Sequence, residues 1–268
     1  MGYQKAAVVF IDILGTRENR NFDDKYFIHK LFHGEARNNE NRKHDHVKYD
    51  RKIYSFSDCA YFIYYYKDEM DESPENNQRL FEAAIYNTSL SILRFMNAGY
   101  MIRGGATFGE VYFDDLGCFG PALEEAYEME SKYALYPRVL VNKEFGIKRA
   151  STETSGIFKQ IFTDIPQLCE VDENGDYFLN VFYSLETTGN LLIEGDTITL
   201  DGVKSVMSDL ATQNMKKYKD CAQSSGSTSL KVSIYEKNKW LLEYIKTKKI
   251  LLNPQISSGA ITAIVTGD

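Results

Sequence analysis

The apolar run Ala6-Ala7-Val8-Val9-Phe10-Ile11 leads directly into Asp12 and resumes as Ile13-Leu14-Gly15. A short continuous run of this kind reads as a strand buried on both faces. A second run of strand character, residues 53–62, contains Asp58. A carboxylate inside an apolar strand is costly to bury unless hydrogen bonds or a cation compensate it. Two such carboxylates brought together by one sheet would also repel each other. A divalent cation removes both penalties, and oxygen donors of this type suit magnesium or manganese. Taken singly, Asp12 reads as a strand-end residue and Asp58 as an ordinary turn aspartate. Only their pairing on adjacent strands points to a metal.

The rest of the chain supplies the elements around that pair. Residues 4–14 form the first strand, and a helix is expected over 24–32, followed by a polar loop through 34–46. Residues 49–58 and 59–66 read as a hairpin with Ser57-Asp58 at its turn. Leu80, Ala83, Ala84, Tyr86, Leu90, Ile92 and Leu93 recur at helical spacing within 77–97, and Gly99 ends that helix. A strand follows at 100–107, and 110–113 pairs with 116–119. Pro121 opens a helix that runs to Tyr133, since proline is tolerated in the first turn. A short strand, 138–141, closes the core.

The order strand, helix, strand, strand, helix, strand predicts an α+β fold resembling the ferredoxin-like βαββαβ arrangement, with helices on one face. The expected division is a core of residues 1–150 and an extension of residues 151–268 packed on it. In the extension, Asp172-Glu173-Asn174-Gly175-Asp176 reads as a hairpin turn, too short for a calcium loop. Amphipathic helices are expected at 201–220 and 229–249, as a lid or as a face for dimerisation.

Composition narrows the function classes. A net charge of -7 argues against a broad phosphate-backbone interface with nucleic acid, though not against a small anionic ligand carried on metal ions. No apolar run approaches the length of a membrane span. No basic segment followed by an apolar one precedes the first strand, so a cytoplasmic location is expected. Met1-Gly2 begins like a myristoylation signal, but Ala6 stands where that motif requires Ser or Thr. Cys59, Cys118, Cys169 and Cys221 have neither zinc-site nor redox-pair spacing and read as free thiols. His29 and His33 form an i,i+4 pair, with His44 and His46 in the polar stretch, and read as a solvated face.

Five segments in order resemble the class III nucleotidyl cyclase homology domain, over residues 6–142. Phe10-Ile11-Asp12-Ile13-Leu14-Gly15 is similar to the family's first metal motif, and Ser57-Asp58 falls at its second, where the turn usually reads Gly-Asp. Residues 103–111 resemble the strand whose arginine, here Arg103, contacts the phosphates. Residues 120–130 resemble the following helix, and Arg138 falls where the family places a phosphate-binding lysine or arginine. The resemblance implies two Mg2+ or Mn2+ ions held by Asp12, Asp58 and the Ile13 carbonyl, and catalysis by Asp12, Asp58 and Arg103. It implies nucleotide contacts from Arg103 and Arg138, a clamp suited to the guanidinium fork. Arg17, just after the first metal motif, is within reach of a triphosphate or is a solvated loop residue.

The departures from the family pattern are informative. Tyr54 occupies the base-selecting position and Gly117 the second base-reading position. Glu124 and Glu128 stand where the helix normally offers an asparagine and an arginine. Purine recognition in the usual way is not expected. These changes resemble the bacterial pyrimidine cyclases of the Pycsar anti-phage system. That resemblance implies UTP or CTP as substrate, cyclic UMP or cyclic CMP plus pyrophosphate as products, and a homodimer with shared active sites. Tyr54 would narrow the base pocket, with Ser55, Phe56 and Gly117 beside it. The alternatives are a degenerate cyclase domain that binds nucleotide without turnover, and a different two-metal enzyme on a similar palm. A diguanylate cyclase would need a Gly-Gly-Asp/Glu-Glu-Phe motif, which the chain lacks.

Overall fold

The computed structural model describes residues 2–16, 21–41, 47–67, 73–150, 167–193, 195–223 and 229–251, with backbone alone for 35–41, 148–150, 220–223 and 229–233. Arg17, His44, His46 and the Cys221 side chain lie outside the described residues.

The sheet is built around β1 (Gln4–Ile13), flanked antiparallel by β3 (Cys59–Tyr66) and β4 (Ile102–Phe113). The hairpin partner of β3 is β2 (Tyr49–Phe56), and the order across this half is β2-β3-β1-β4. With α1 (Phe22–Asn41) between β1 and β2, and α2 (Pro74–Asn97) between β3 and β4, this is the ferredoxin-like βαββαβ arrangement expected. The short strand β5 (Cys118–Phe119) pairs with the far end of β4, and β6 (Val139–Val141) runs parallel beside β4. Between them lie α3 (Pro121–Glu128) and a π-helical turn, Met129–Tyr133.

Residues beyond 150 extend the same sheet. After α4 (Lys143–Ala150), β7 (Cys169–Val171) and β8 (Tyr177–Leu179) form the expected hairpin and add to the edge at β6. The chain continues through α5 (Tyr183–Thr188), a separate hairpin of β9 (Asn190–Ile193) and β10 (Asp196–Thr199), then α6 (Leu200–Gln223) and α7 (Ser229–Thr247).

Several boundaries depart from the sequence reading for local reasons. Helix α1 runs to Asn41, through part of the expected loop, because Glu35, Ala36, Arg37 and Glu40 are tolerable helix formers that outweigh Gly34. Helix α2 starts three residues early, where the Ser73 hydroxyl accepts the Asn76 N–H at 3.1 Å and Pro74 takes the first turn. Strand β4 is one twelve-residue strand rather than two pieces.

Helices cover both faces of the sheet, not one. Ala7, Val9, Ile11 and Ile13 pack into a cluster with α1, α2, α6 and α7, through residues such as Phe32, Phe81, Met207 and Leu241. Ala6, Val8 and Phe10 pack against Ala122, Leu123 and Ala126 of α3. Because β1 is apolar on both sides, leaving either uncovered would expose several large side chains.

The seat of α3 depends on Gly105. A Cβ there would fall on the Ala126 carbonyl and the Met129 side chain. The Ala126 carbonyl is backbone, so relief requires the helix itself to move, and Gly105→Val should lift α3 from the sheet and destabilise the protein by about 3 kcal/mol. Urea denaturation would read this as a lowered midpoint, and a wild-type midpoint would contradict the close contact.

Candidate active site

Asp12 is the penultimate residue of β1. Its register partners are Cys59 on β3 and Arg103 on β4. Asp58 follows Ser57 in the tight turn between β2 and β3, and Ser57 has φ of 56°, the left-handed conformation that favours glycine. The Asp58 carbonyl accepts the Ile13 N–H at 2.9 Å, which stitches the turn to the end of β1. The sheet thus brings the two expected aspartates to one end of neighbouring strands.

The hydroxyl of buried Thr16 joins the oxygen donors. It lies 3.3 Å from the Ile13 carbonyl oxygen and hydrogen-bonds the Asp58 carboxylate. Lys25, from α1, sits 3.8 Å from the same carboxylate. Burial alone would raise the Asp58 pKa. The Thr16 hydroxyl, its own backbone N–H, Ser57 and Lys25 outweigh that and hold it below the usual carboxylate range. Asp58 therefore stays ionised and oriented.

Arg103 lies between two carboxylates. Its guanidinium is 3.4 Å from Asp12 Oδ2 and forms a closer ion pair with Glu130. Glu130 is only 3% exposed and sits in the π-helical turn, closed by the Ala134 N–H donating to the Met129 carbonyl at 2.9 Å. Such turns are frequent at functional sites. Sequence reading passed over Glu130, although a signal was present. It continues the 122–126–130 series of the inward face of α3, so it is a charge on an apolar stripe.

The Thr16 hydroxyl links the Ile13 carbonyl and the Asp58 carboxylate, and Asp12 precedes Ile13 at the same strand end, so the oxygen groups available there are two carboxylates, a carbonyl and a hydroxyl. Hard oxygen donors of this kind fit Mg2+ or Mn2+. Among the described residues no group of three or more His, Cys, Asp or Glu side chains converges to hold a metal. The set accordingly has two carboxylates, with backbone and hydroxyl oxygens beside them.

Tyr54 and Gly117 share one anchor. The Tyr54 hydroxyl donates to the Asp114 carbonyl, and the Gly117 N–H donates to Asp114 Oδ1 at 3.1 Å. Burial first, then the nearby Cys118, Asp114 and Asp115, push the Tyr54 phenol up to about 12, so it remains a neutral donor. Tyr54 packs on the α3 side of the sheet, with Tyr61, Tyr65 and Phe113.

Two assignments are corrected by geometry. Ser55 neighbours Tyr54 along β2, so its side chain faces the opposite side, with Ile53, which packs on the other cluster. It does not share a pocket with Tyr54. Arg138 is 5% exposed and bonds Asp172 Oδ2 at 2.7 Å, with Asp176 at 3.5 Å. Its guanidinium also lies 5.2 Å from the centre of the Phe178 ring and 5.9 Å from that of Trp240. It clamps the turn between β7 and β8 rather than facing the aspartates, because the extension supplies carboxylates and rings that enclose it.

The residues in place of the expected asparagine and arginine face outward. Glu124 and Glu128 are exposed, and Glu128 pairs with Lys132 at 2.7 Å. His29 and His33 are exposed on α1, with ring centres 4.1 Å apart. Among the described residues no helix is long and apolar enough to cross a membrane.

No family model matches the chain. No curated protein matches it. Among solved structures it is similar to the crystal structure of the catalytic core of a rhodopsin-guanylyl cyclase with converted specificity, in complex with ATPalphaS. That likeness has a TM-score of 0.38 at 15% identity, and covers 67% of this chain and 97% of that one.

Proposed function

We propose that this chain is a nucleotide cyclase that converts UTP or CTP into the 3′,5′-cyclic monophosphate and pyrophosphate. The observation that carries this is the placement of Asp12, Ile13 and the Asp58 turn at one end of a ferredoxin-like sheet, with Arg103 in register beside Asp12. The five-segment resemblance to class III cyclases supports the same reading.

In the reaction the ribose 3′-oxygen attacks the α-phosphorus, the bond from that phosphorus to the bridging oxygen breaks, and pyrophosphate leaves with that bond's electron pair. The 3′-hydroxyl proton is lost to solvent. Two divalent ions bound at the oxygen set would supply Lewis acidity to the attacking hydroxyl and the leaving phosphates. Asp12, Asp58 and Ile13 would hold them. Thr16 and Lys25 keep the Asp58 carboxylate oriented. Arg103, held by Glu130, would meet charge developing on the phosphoryl oxygens. Tyr54, tied to Asp114, would fill space that a purine needs and favour the smaller base.

The active assembly in this reading is a homodimer. Phe56 is 80% exposed and Tyr127 53%; Phe56 shares the strand face of Tyr54, and Tyr127 meets Phe10 on the same side of the sheet. Exposed aromatic side chains on that face suit burial by a second copy. The cyclic product would serve as a second messenger in bacterial anti-phage defence, with the enzyme in the cytoplasm.

Incubation with an equimolar mixture of the four NTPs and Mn2+, read by mass spectrometry, should give cyclic UMP or cyclic CMP. If no NTP yields a cyclic product, and Asp12→Asn binds nucleotide as well as wild type, the proposal fails. The exposed Glu124 and Glu128 favour one second reading, a regulatory domain that binds pyrimidine nucleotide without turning it over. Nucleotide binding with no product would select it.

A further inference from the structure

Helix α7 lies far along the chain from Asp12, yet it docks on the segment that carries Glu130, the carboxylate paired with Arg103. Trp240 stacks on Tyr136 with ring centres 5.4 Å apart, and packs with Met129, Ala134 and Leu140 of the segment that carries Glu130. Lys237 lies three residues before Trp240, hence on the same side of the helix and about 4.5 Å further along its axis. It is half-buried, and its ammonium feels the charges of Arg103, Glu130 and Asp12. Among the described residues it has no hydrogen-bonded or ion-paired partner. Burial, and then the nearby Arg103, lower its pKa, with Glu130 and Asp12 opposing.

We infer that Lys237 is a substrate-binding residue, delivering its ammonium from α7 to the phosphate chain of a nucleoside triphosphate held at the Asp12–Arg103–Glu130 cluster. The inference rests on the proposed cyclase reading and deepens it. Sequence resemblance assigns a phosphate-facing cation to Arg138, but Asp172, Asp176 and three aromatic rings enclose that residue. Lys237 supplies the missing positive charge from a different element. The charge balance at the site supports this. Asp12, Asp58 and Glu130 are matched by Arg103, Lys25 and Lys237. Once Asp12 directs its charge to the cations accompanying a nucleotide, Glu130 remains with Arg103 and Lys237 is left facing the site without a carboxylate. A polyphosphate is the anion that fills this place, and a flexible ammonium with three donors suits its several oxygens.

The test compares wild type, Lys237→Ala, Lys237→Gln and Lys237→Arg. Calorimetry would measure binding of inorganic triphosphate with Mg2+, and of uridine and cytidine. Steady-state assays would give KM for UTP and CTP. Loss of one charge-assisted contact should weaken triphosphate binding about tenfold or more in the Ala and Gln variants. Their nucleoside affinity and melting temperature should stay at wild-type values, and Lys237→Arg should recover most of the loss. Equal triphosphate affinity and KM in an active wild type and in Lys237→Ala would overturn the inference and leave the cyclase reading standing. Parallel loss of triphosphate and nucleoside affinity would overturn it too, as the mark of a structural role. A wild-type protein that neither binds triphosphate nor forms product would overturn both.

Discussion

Asp12→Asn should lower cyclic-product formation by about 10^3-fold or more, equivalent to ~4 kcal/mol of transition-state stabilisation, while leaving the protein at least as stable as wild type. The two halves of this expectation have one cause. In the proposed mechanism Asp12 is the one charged group that would contact the ions of the reaction from the central strand, beside the neutral Ile13 carbonyl. An amide is a weak ligand without the charge. In the resting protein the same carboxylate is three-quarters buried beside Arg103, which already pairs more closely with Glu130. Neutralising Asp12 therefore removes a costly partly buried charge and leaves Arg103 with a partner. Product formation at saturating Mn2+, with a thermal melt of the same samples, reads both halves. Activity within tenfold of wild type would remove Asp12 from the catalytic centre.

Arg138→Ala should act on the opposite ledger. It should reduce stability by about 3 kcal/mol and leave KM for the nucleotide unchanged. The guanidinium packs among Tyr136, Phe178 and Trp240 and holds the turn of the β7–β8 hairpin through Asp172, so truncation removes both an ion pair and buried volume. For a chain of this size the melting temperature should fall by roughly 10 °C. A wild-type melting temperature with a raised KM would return Arg138 to the phosphate-binding role.

Acid should weaken the same clamp. Burial would raise the Asp172 pKa, but the Arg138 guanidinium and the N–H groups of Asp176 and Asn174 outweigh it and hold it low. Its contribution is complete above the unfolded value of about 3.9 and disappears as pH falls through the lower folded value. Asp172→Asn should lack that acid-dependent step in unfolding free energy.

How far the sequence could be read depended on the range of each interaction. Periodicity is local, so the strand at Ala6–Ile11, the hairpin around Ser57-Asp58 and the helix through Leu80–Leu93 were visible in it. The two aspartates were visible because a charge in an apolar strand is an anomaly that needs no partner to notice. Glu130 was a comparable anomaly on the inward face of α3, but helical spacing alone does not say which face meets the sheet. Ser55 was placed beside Tyr54 by proximity in sequence, whereas strand alternation puts neighbours on opposite faces.

The tertiary structure decided which charges meet. Arg103 and Arg138 were both phosphate-contact candidates, each an arginine at a strand, with a catalytic role expected of Arg103 alone. The register of β4 against β1 set Arg103 opposite Asp12, while the β7–β8 hairpin enclosed Arg138. Lys237 had no signal at all in its own segment, since its neighbours at the site lie more than a hundred residues earlier in the chain. The sequence alone determined that two carboxylates must be accommodated within one apolar sheet, because burying them is costly wherever they fall. Which cations attend them depends on contacts between distant segments, and only the packed fold, through register and helix docking, sets those.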